Sequence, residues 1–304
     1  MAGTNYEARH VIKSQVLNIR SQDGREFLED DAGNEVKTGF TIDLFAAVEC
    51  SLNQSFLVSL SSIEFPYSFY TTDSTNNQLQ VKVEQISTGT FSSEYNILVP
   101  TGNYNANSLK AKVKSLLDTQ FQANNVGANL ATSFTITYDT VRNKFTFKTV
   151  EADRKAYIMW ANTSNGLYRQ LGFVGDTNVN FTTIGLESDA VVNVGGSRTD
   201  ALYVRTNLGS NNSIESRIKG VSSILEKVPV ITPPNSFIFW NSANVSSKIF
   251  VPTKSIQSIQ IRITDSDDRL INTNNINFTI SIQFDTIETP VFRLPYGGRR
   301  FGDV

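Results

Sequence analysis

The stretch SSIEFPYSFYTTDSTNNQLQVKV, residues 61–83, sets the reading of the whole chain. It crowds Phe65, Tyr67, Phe69 and Tyr70 around Pro66, passes through a polar turn and emerges as the alternating run Leu79, Val81, Val83. Alternation marks a half-buried strand, because successive side chains point to opposite faces. The aromatics therefore sit where one strand ends and a turn begins. Their expected task is to pack that strand end, with Asn76 and Asn77 supplying the turn before the next strand.

The same period extends in both directions. Phe40, Ile42 and Leu44 alternate, as do Phe56, Val58 and Leu60, and then Tyr95, Ile97 and Val99. The last third consists of short apolar runs, ALYVRTNLG, SSILEKVPVI, SFIFW, SSKIFV, SIQIRI and NFTISIQF, separated by Gly, Pro, Asn and Asp. SIQIRITDSDDRLINTNNINFTISIQF reads as one long antiparallel pair with a polar connection. One segment breaks the rhythm. NYNANSLKAKVKSLLDTQFQ places Leu109, Val113, Leu116, Leu117 and Phe121 on one helical face, with Asn107 as the expected N-cap. SFTITYDTVRNKFTFKTV follows as a β-hairpin, RKAYIMW as a short strand and GLYRQLGF as a helical turn. Many short strands with polar turns favour a sandwich or barrel.

Composition removes most kinds of chemistry. The 304 residues are 39% hydrophobic, enough for a real core, and only 18% charged. A net charge of −2 gives no electrostatic case for specific nucleic acid or an anionic membrane. No apolar run is long enough to span a bilayer, and the polar N-terminal MAGTNYEARHVIKSQ lacks the apolar core of a signal peptide, so a soluble cytosolic product is expected. Cys50 is the only cysteine and is expected to be a buried, inert thiol. His10 is the only histidine, and any triad or imidazole-based metal site would have to be built on it. The carboxylates Asp43, Glu64, Glu84 and Asp285 have no catalytic spacing, and Asp265, Asp267 and Asp268 lack the glycine and distal glutamate of a calcium loop, so they read as a plain turn. No phosphate loop or nucleophile elbow is present. The expectation is no catalytic residue, no cofactor, no metal, and no enzyme.

What remains is a pattern without catalytic sense. IEFPYSFYTTDSTNNQLQV (63–81), ILVPTGNYNANSLKAKVKSLL (97–117), FTITYDTVRNKFTF, RQLGF, LYVRTNLGS with SSILEKVPVITPPN, and IQSIQIRITDSDDRLINTNNINFTISIQFD follow one another in order. This succession, over roughly residues 38–286, resembles the penton-type minor capsid proteins of virophages and polinton-like viruses. The resemblance implies a mainly β chain: a single jelly-roll β-sandwich with an inserted α+β sub-domain that projects outward. It implies a structural virion protein, a homopentamer at the five-fold vertices of an icosahedral capsid, touching neighbouring major capsid protein capsomers. It also implies residence in the virion after assembly in the host-cell cytoplasm, with the insertion as a possible contact for a host receptor.

Together these readings divide the chain. Residues 1–36 are an N-terminal arm, 37–85 and 191–287 a discontinuous jelly roll, and 86–190 the insertion, with a helix near 107–121 and a hairpin over 133–150. Residues 288–304 are a C-terminal arm whose Phe292, Leu294, Tyr296, Arg299, Arg300 and Phe301 are the candidate assembly contacts. The alternative is a jelly-roll carbohydrate- or receptor-binding module, fibre- or lectin-like, with exposed Tyr67 and Tyr70 as a sugar platform.

Overall fold

The computed structural model describes residues 11–288 except 32, 124–129, 161–164, 176, 195–198, 209–213, 216–219 and 243–247. The chain first forms β1 (Val11–Arg20), β2 (Leu28–Glu29), β3 (Glu35–Val36), β4 (Gly39–Glu49) and β5 (Gln54–Pro66). The middle supplies β6 (Gln78–Gln85), β7 (Thr90–Phe91), β8 (Tyr95–Leu98), α1 (Ala106–Ala123), β9 (Phe134–Asp139), β10 (Lys144–Thr149), β11 (Arg154–Ile158), α2 (Tyr168–Leu171), β12 (Val179–Phe181) and β13 (Leu186–Glu187). The last part adds β14 (Ala201–Thr206), β15 (Ile214–Glu215), β16 (Gly220–Val221), β17 (Ile224–Pro229), β18 (Phe237–Asn241), β19 (Ile249–Val251), β20 (Ser255–Thr264) and β21 (Thr279–Glu288). These form two compact units. The first takes the chain up to Ser68 and again from Ala201; the second is Phe69–Asp200.

The first unit is a jelly-roll sandwich. One sheet runs β1-β21-β5-β18, with β19 also on β5; the other runs β17-β14-β20-β4, and every pairing is antiparallel. Alternate residues close the core: Phe56, Val58, Ile280, Ile282 and Phe284 from the first sheet, Phe40, Leu202, Ile259, Ile261 and Ile263 from the second, all buried. In β5 the apolar spacing slips from Phe56, Val58, Leu60 to Ile63, Phe65, and the register to β21 shifts at that point. A one-residue bulge keeps both halves facing inward.

Register also fixes the two ends of this sandwich. Val11 faces Ile287, Gln54 faces Glu288, and Glu49 faces Ser255, so β1 starts and β21 finishes at one end, here called the base. Pro66 faces Phe237 and Tyr203 faces Thr264, so Ser68 leaves and Ala201 returns at the opposite, far end. β17 packs across onto β5, while Phe40 of β4 meets Phe278 beside β21. One flank therefore carries β1 and β4, the other β17 and β18.

The second unit has its own core. One sheet runs β12-β11-β6-β7 with β8 also on β6; another runs β13-β10-β9, and α1 packs on β9 and β8. Phe121 of α1 meets Phe134, Phe134 meets Phe181, and Phe147 joins Phe181 and Phe173, so rings link the helix to both sheets. The Asp118 carboxylate accepts the Phe134 N–H at 2.9 Å, tying helix to strand.

Several expectations change. Residues 11–20 are a strand paired with β21 and 28–36 hold a small hairpin, so the proposed arm is not an arm from Val11 onward; residues 1–10 lie outside the described set. The jelly-roll boundaries are Ser68 and Ala201 rather than 85 and 191, because Leu79, Val81 and Val83 of β6 pack with the helix core of the second unit. β20 and β21 do not pair: each lies in a different sheet, and the 265–278 connection crosses between them. Facing across the sandwich buries both apolar faces, and the connection is far longer than a hairpin turn. The helix cap is Asn105, not Asn107. Asn105 Oδ1 accepts the Ser108 N–H and Ser108 Oγ accepts the Asn105 N–H, both at 2.9 Å, a reciprocal box that fixes the cap three residues before Ser108.

Candidate functional site

The sequence-level chemistry candidates are kept apart. Asp43 forms a two-pronged pair with Arg25, at 2.5 and 2.6 Å, on β4. Glu64 on β5 accepts the Thr279 hydroxyl at 3.3 Å, and Glu84 in the second unit accepts the Tyr157 hydroxyl at 2.5 Å. Asp285 is buried, accepting hydrogen bonds from Ser14 Oγ, Gln283 Nε2 and the Lys248 ammonium. Burial pushes its carboxyl upward, but the three donors outweigh this and hold it below the usual carboxylate range. Register separates Glu64 from Asp285 by six strand residues, about 20 Å, too far for a catalytic pair.

The acidic turn is structural. Asp265 accepts the Asp267 and Arg269 N–H groups at 2.8 and 3.0 Å, and Asp268, with a positive φ of 65°, faces Arg205 at 3.0 Å. Among the described residues no group of His, Cys, Asp and Glu is arranged to hold a metal ion, and no helix is long and apolar enough to cross a membrane. Cys50 is half-buried rather than buried; burial raises its thiol and Lys254 only partly opposes this, so the thiolate is disfavoured. His10 lies outside the described residues, as do Phe292, Leu294, Tyr296, Arg299, Arg300 and Phe301.

The opening aromatics divide sharply. Tyr67 is only 4% exposed and Phe65 and Phe69 are buried, whereas Tyr70 is 44% exposed. A platform of Tyr67 and Tyr70 is therefore not formed. Asn76 and Asn77 do build the turn: their amides donate to the Thr71 and Val99 carbonyls, at 3.0 and 2.9 Å.

What the first unit does present is apolar surface on its flanks. In β4 the register jumps from Asp43 opposite Ser258 to Val48 opposite Ile256, so Leu44–Ala47 bulge out against Gln257 alone. Phe45 at the crest is fully exposed. On the same flank Val16 of the edge strand β1 is exposed; on the other, Ile231, Phe237 and Phe239 are, with the two rings 6.1 Å apart. Exposed edge strands with apolar side chains are ready-made contact surfaces. Sequence reading missed the bulge because Phe45 occupies what alternation assigns as an ordinary outward position; the unbroken run Leu44–Ala47 was its only trace.

No protein-family model matches this sequence, and no curated protein does. Among solved structures, the crystal structure of the mavirus penton protein matches with a TM-score of 0.52 at 10% identity, covering 90% of this chain and 100% of that one. The chain thus shares its fold with a virophage penton protein over nearly the whole of both.

Proposed function

We propose that this chain is a penton-type minor capsid protein, a structural rather than enzymatic component of the virion. The observation that carries this is a fold shared with a penton protein across that protein's full length. The polarity of the first unit supports it: both ends of the described chain lie at the base, and both crossings to the second unit lie at the far end. On this reading the base of the sandwich faces the shell and the neighbouring major capsid capsomers, and the insertion is the part offered to a host surface.

The finer reading is a homopentamer at five-fold vertices. A ring closes only when one surface of each copy fits a different surface of the next. Two unlike apolar flanks support this reading, since Val16 and Phe45 mark one while Ile231, Phe237 and Phe239 mark the other. Low charge on the chain keeps like-charge repulsion between copies small.

Complementary variants test this. Phe45→Asp and Phe239→Asp change exposed side chains, so each should stay folded but fail to form rings in sedimentation. Mixed together, the two variants should give dimers, because each retains the flank the other lacks. Rings from either variant alone, or no dimer on mixing, would count against a flank-to-flank ring. Stable monomers of the unaltered chain that bind glycans on an array would instead favour the binding-module reading.

A further inference from the structure

The sheet β1-β21-β5-β18 ends in β1 on one flank and β18 on the other, and among the described residues no strand pairs with the outer side of either. The inner ladders fix which backbone groups are already used. The Ser21 N–H donates to the Phe278 carbonyl at 3.0 Å, in step with the register Ile19 to Ile280 and Leu17 to Ile282. Antiparallel ladders alternate, so Ile19 and Leu17 bond to β21, while the N–H and C=O groups of Val16, Asn18 and Arg20 point to the free side. On the other flank the Ser242 N–H donates to the Ser61 carbonyl at 2.9 Å. By the same alternation Trp240 and Ile238 bond to β5, and the backbone groups of Phe237, Phe239 and Asn241 point outward.

The two sheets of the sandwich treat their edges differently. β4, the edge of the other sheet on the β1 flank, is interrupted by the Leu44–Ala47 bulge, one of the devices that keep an edge from pairing. β1 runs for 10 residues without proline, and its one irregularity lies at its base end, between Val11 and Lys13. The sheet also has four strands across, all antiparallel. An even number makes its two edges complementary. β1 runs from base to far end and β18 from far end to base, so a rotation axis along the strands brings β1 of one copy antiparallel to β18 of the next. Such a rotation keeps every copy at the same height, and register gives the heights. Arg20 is level with Thr279, Glu64 and Phe239; Asn18 is level with Ser281, Ser62 and Asn241. The free residues of one edge therefore come opposite the free residues of the other.

We propose that β1 pairs with β18 of a second copy of this chain, Asn18 opposite Asn241 and Arg20 opposite Phe239, so that one sheet continues from copy to copy. Two such pairs exchange about four backbone hydrogen bonds. The side chains agree with the pairing. Phe239 and Glu64 are cross-strand neighbours on the outer face of the sheet, and the Phe239 ring is exposed. The Arg20 guanidinium of the adjoining copy then lies against that ring with the Glu64 carboxylate one strand further on, a cation facing an aromatic surface and an opposite charge. This inference rests on the ring reading and gives the ring its joint: a backbone ladder, beyond contact between side chains.

Proline substitution separates the two kinds of contact, because at an outward position it removes only an N–H that the inner ladder does not use. Asn241→Pro should raise the concentration needed for assembly about tenfold or more, whereas Asn241→Ala, which trims the side chain and keeps the N–H, should change it less than about threefold. Asn18→Pro and Asn18→Ala repeat the comparison on the opposite strand, and melting of each diluted variant checks that the sandwich is intact. Amide exchange in the unaltered chain reads the same joint: peptides carrying Arg20 and Asn241 should exchange about tenfold more slowly once assembled than when dilute. A five-chain species that forms equally well with proline, or whose edge amides exchange as fast as in the monomer, would overturn the ladder and leave the ring standing. Slow exchange already in the dilute monomer would also overturn it, since the edge would then be covered by its own chain. A monomer at every concentration would overturn both readings.

Discussion

At Asp285 one carboxylate ties three parts of the first unit together: Ser14 on the edge strand β1, Gln283 on β21, and Lys248 just before β19. The side chain is 1% exposed, so its charge is tolerated only through these donors. Asp285→Asn strands the Lys248 ammonium and should cost about 3 kcal/mol in denaturant unfolding at neutral pH. The sign with pH follows from its lowered carboxyl. Its stabilisation is complete above the ordinary Asp range and is lost as pH falls through the depressed folded value. The variant should accordingly show a shallower acid loss of stability than the unaltered chain; an equal slope would remove Asp285 from the explanation. Gly172 is a second position where one atom decides. It closes α2 at φ 79°, and a Cβ there would meet the Ala190 carbonyl at 2.5 Å. Gly172→Ala should destabilise the second unit by about 2 kcal/mol or more, read as a lower melting midpoint.

Individual elements explain which parts of the fold could be read in advance. Strands with one buried face were legible: β5, β10 and β20 alternate as sheet geometry demands, and α1 shows its apolar stripe. β1 was not, because it is an edge strand with only Ile19 fully buried, so VIKSQVLNIR carries almost no alternating contrast. The pairing of β20 with β21 was misjudged because two amphipathic strands look alike whether they lie side by side or face to face. The four-residue bulge of β4 breaks alternation inside a strand, where pattern reading has no rule for it. The distinction between arm and strand is open to experiment. Deleting residues 1–20 removes β1, bares the edge of β21, and should give aggregation or loss of cooperative unfolding. An unchanged unfolding midpoint after that deletion would mean that β1 contributes nothing to the sandwich.

For the molecule as a whole, the two units have separate cores. Residues 69–200, made alone, should therefore unfold cooperatively, as judged by coincident near- and far-ultraviolet circular dichroism transitions. A fragment without fixed tertiary structure would show that its core needs the sandwich. The fold also arranges unlike exposed surfaces on the two flanks of one sandwich, as the proposed ring requires. The most direct measurement of that claim is the native mass of the purified chain across a concentration series. A closed species of five chains, with no larger open polymers as concentration rises, is the predicted result. A monomer at every concentration, or a two-fold dimer that does not grow, would contradict it.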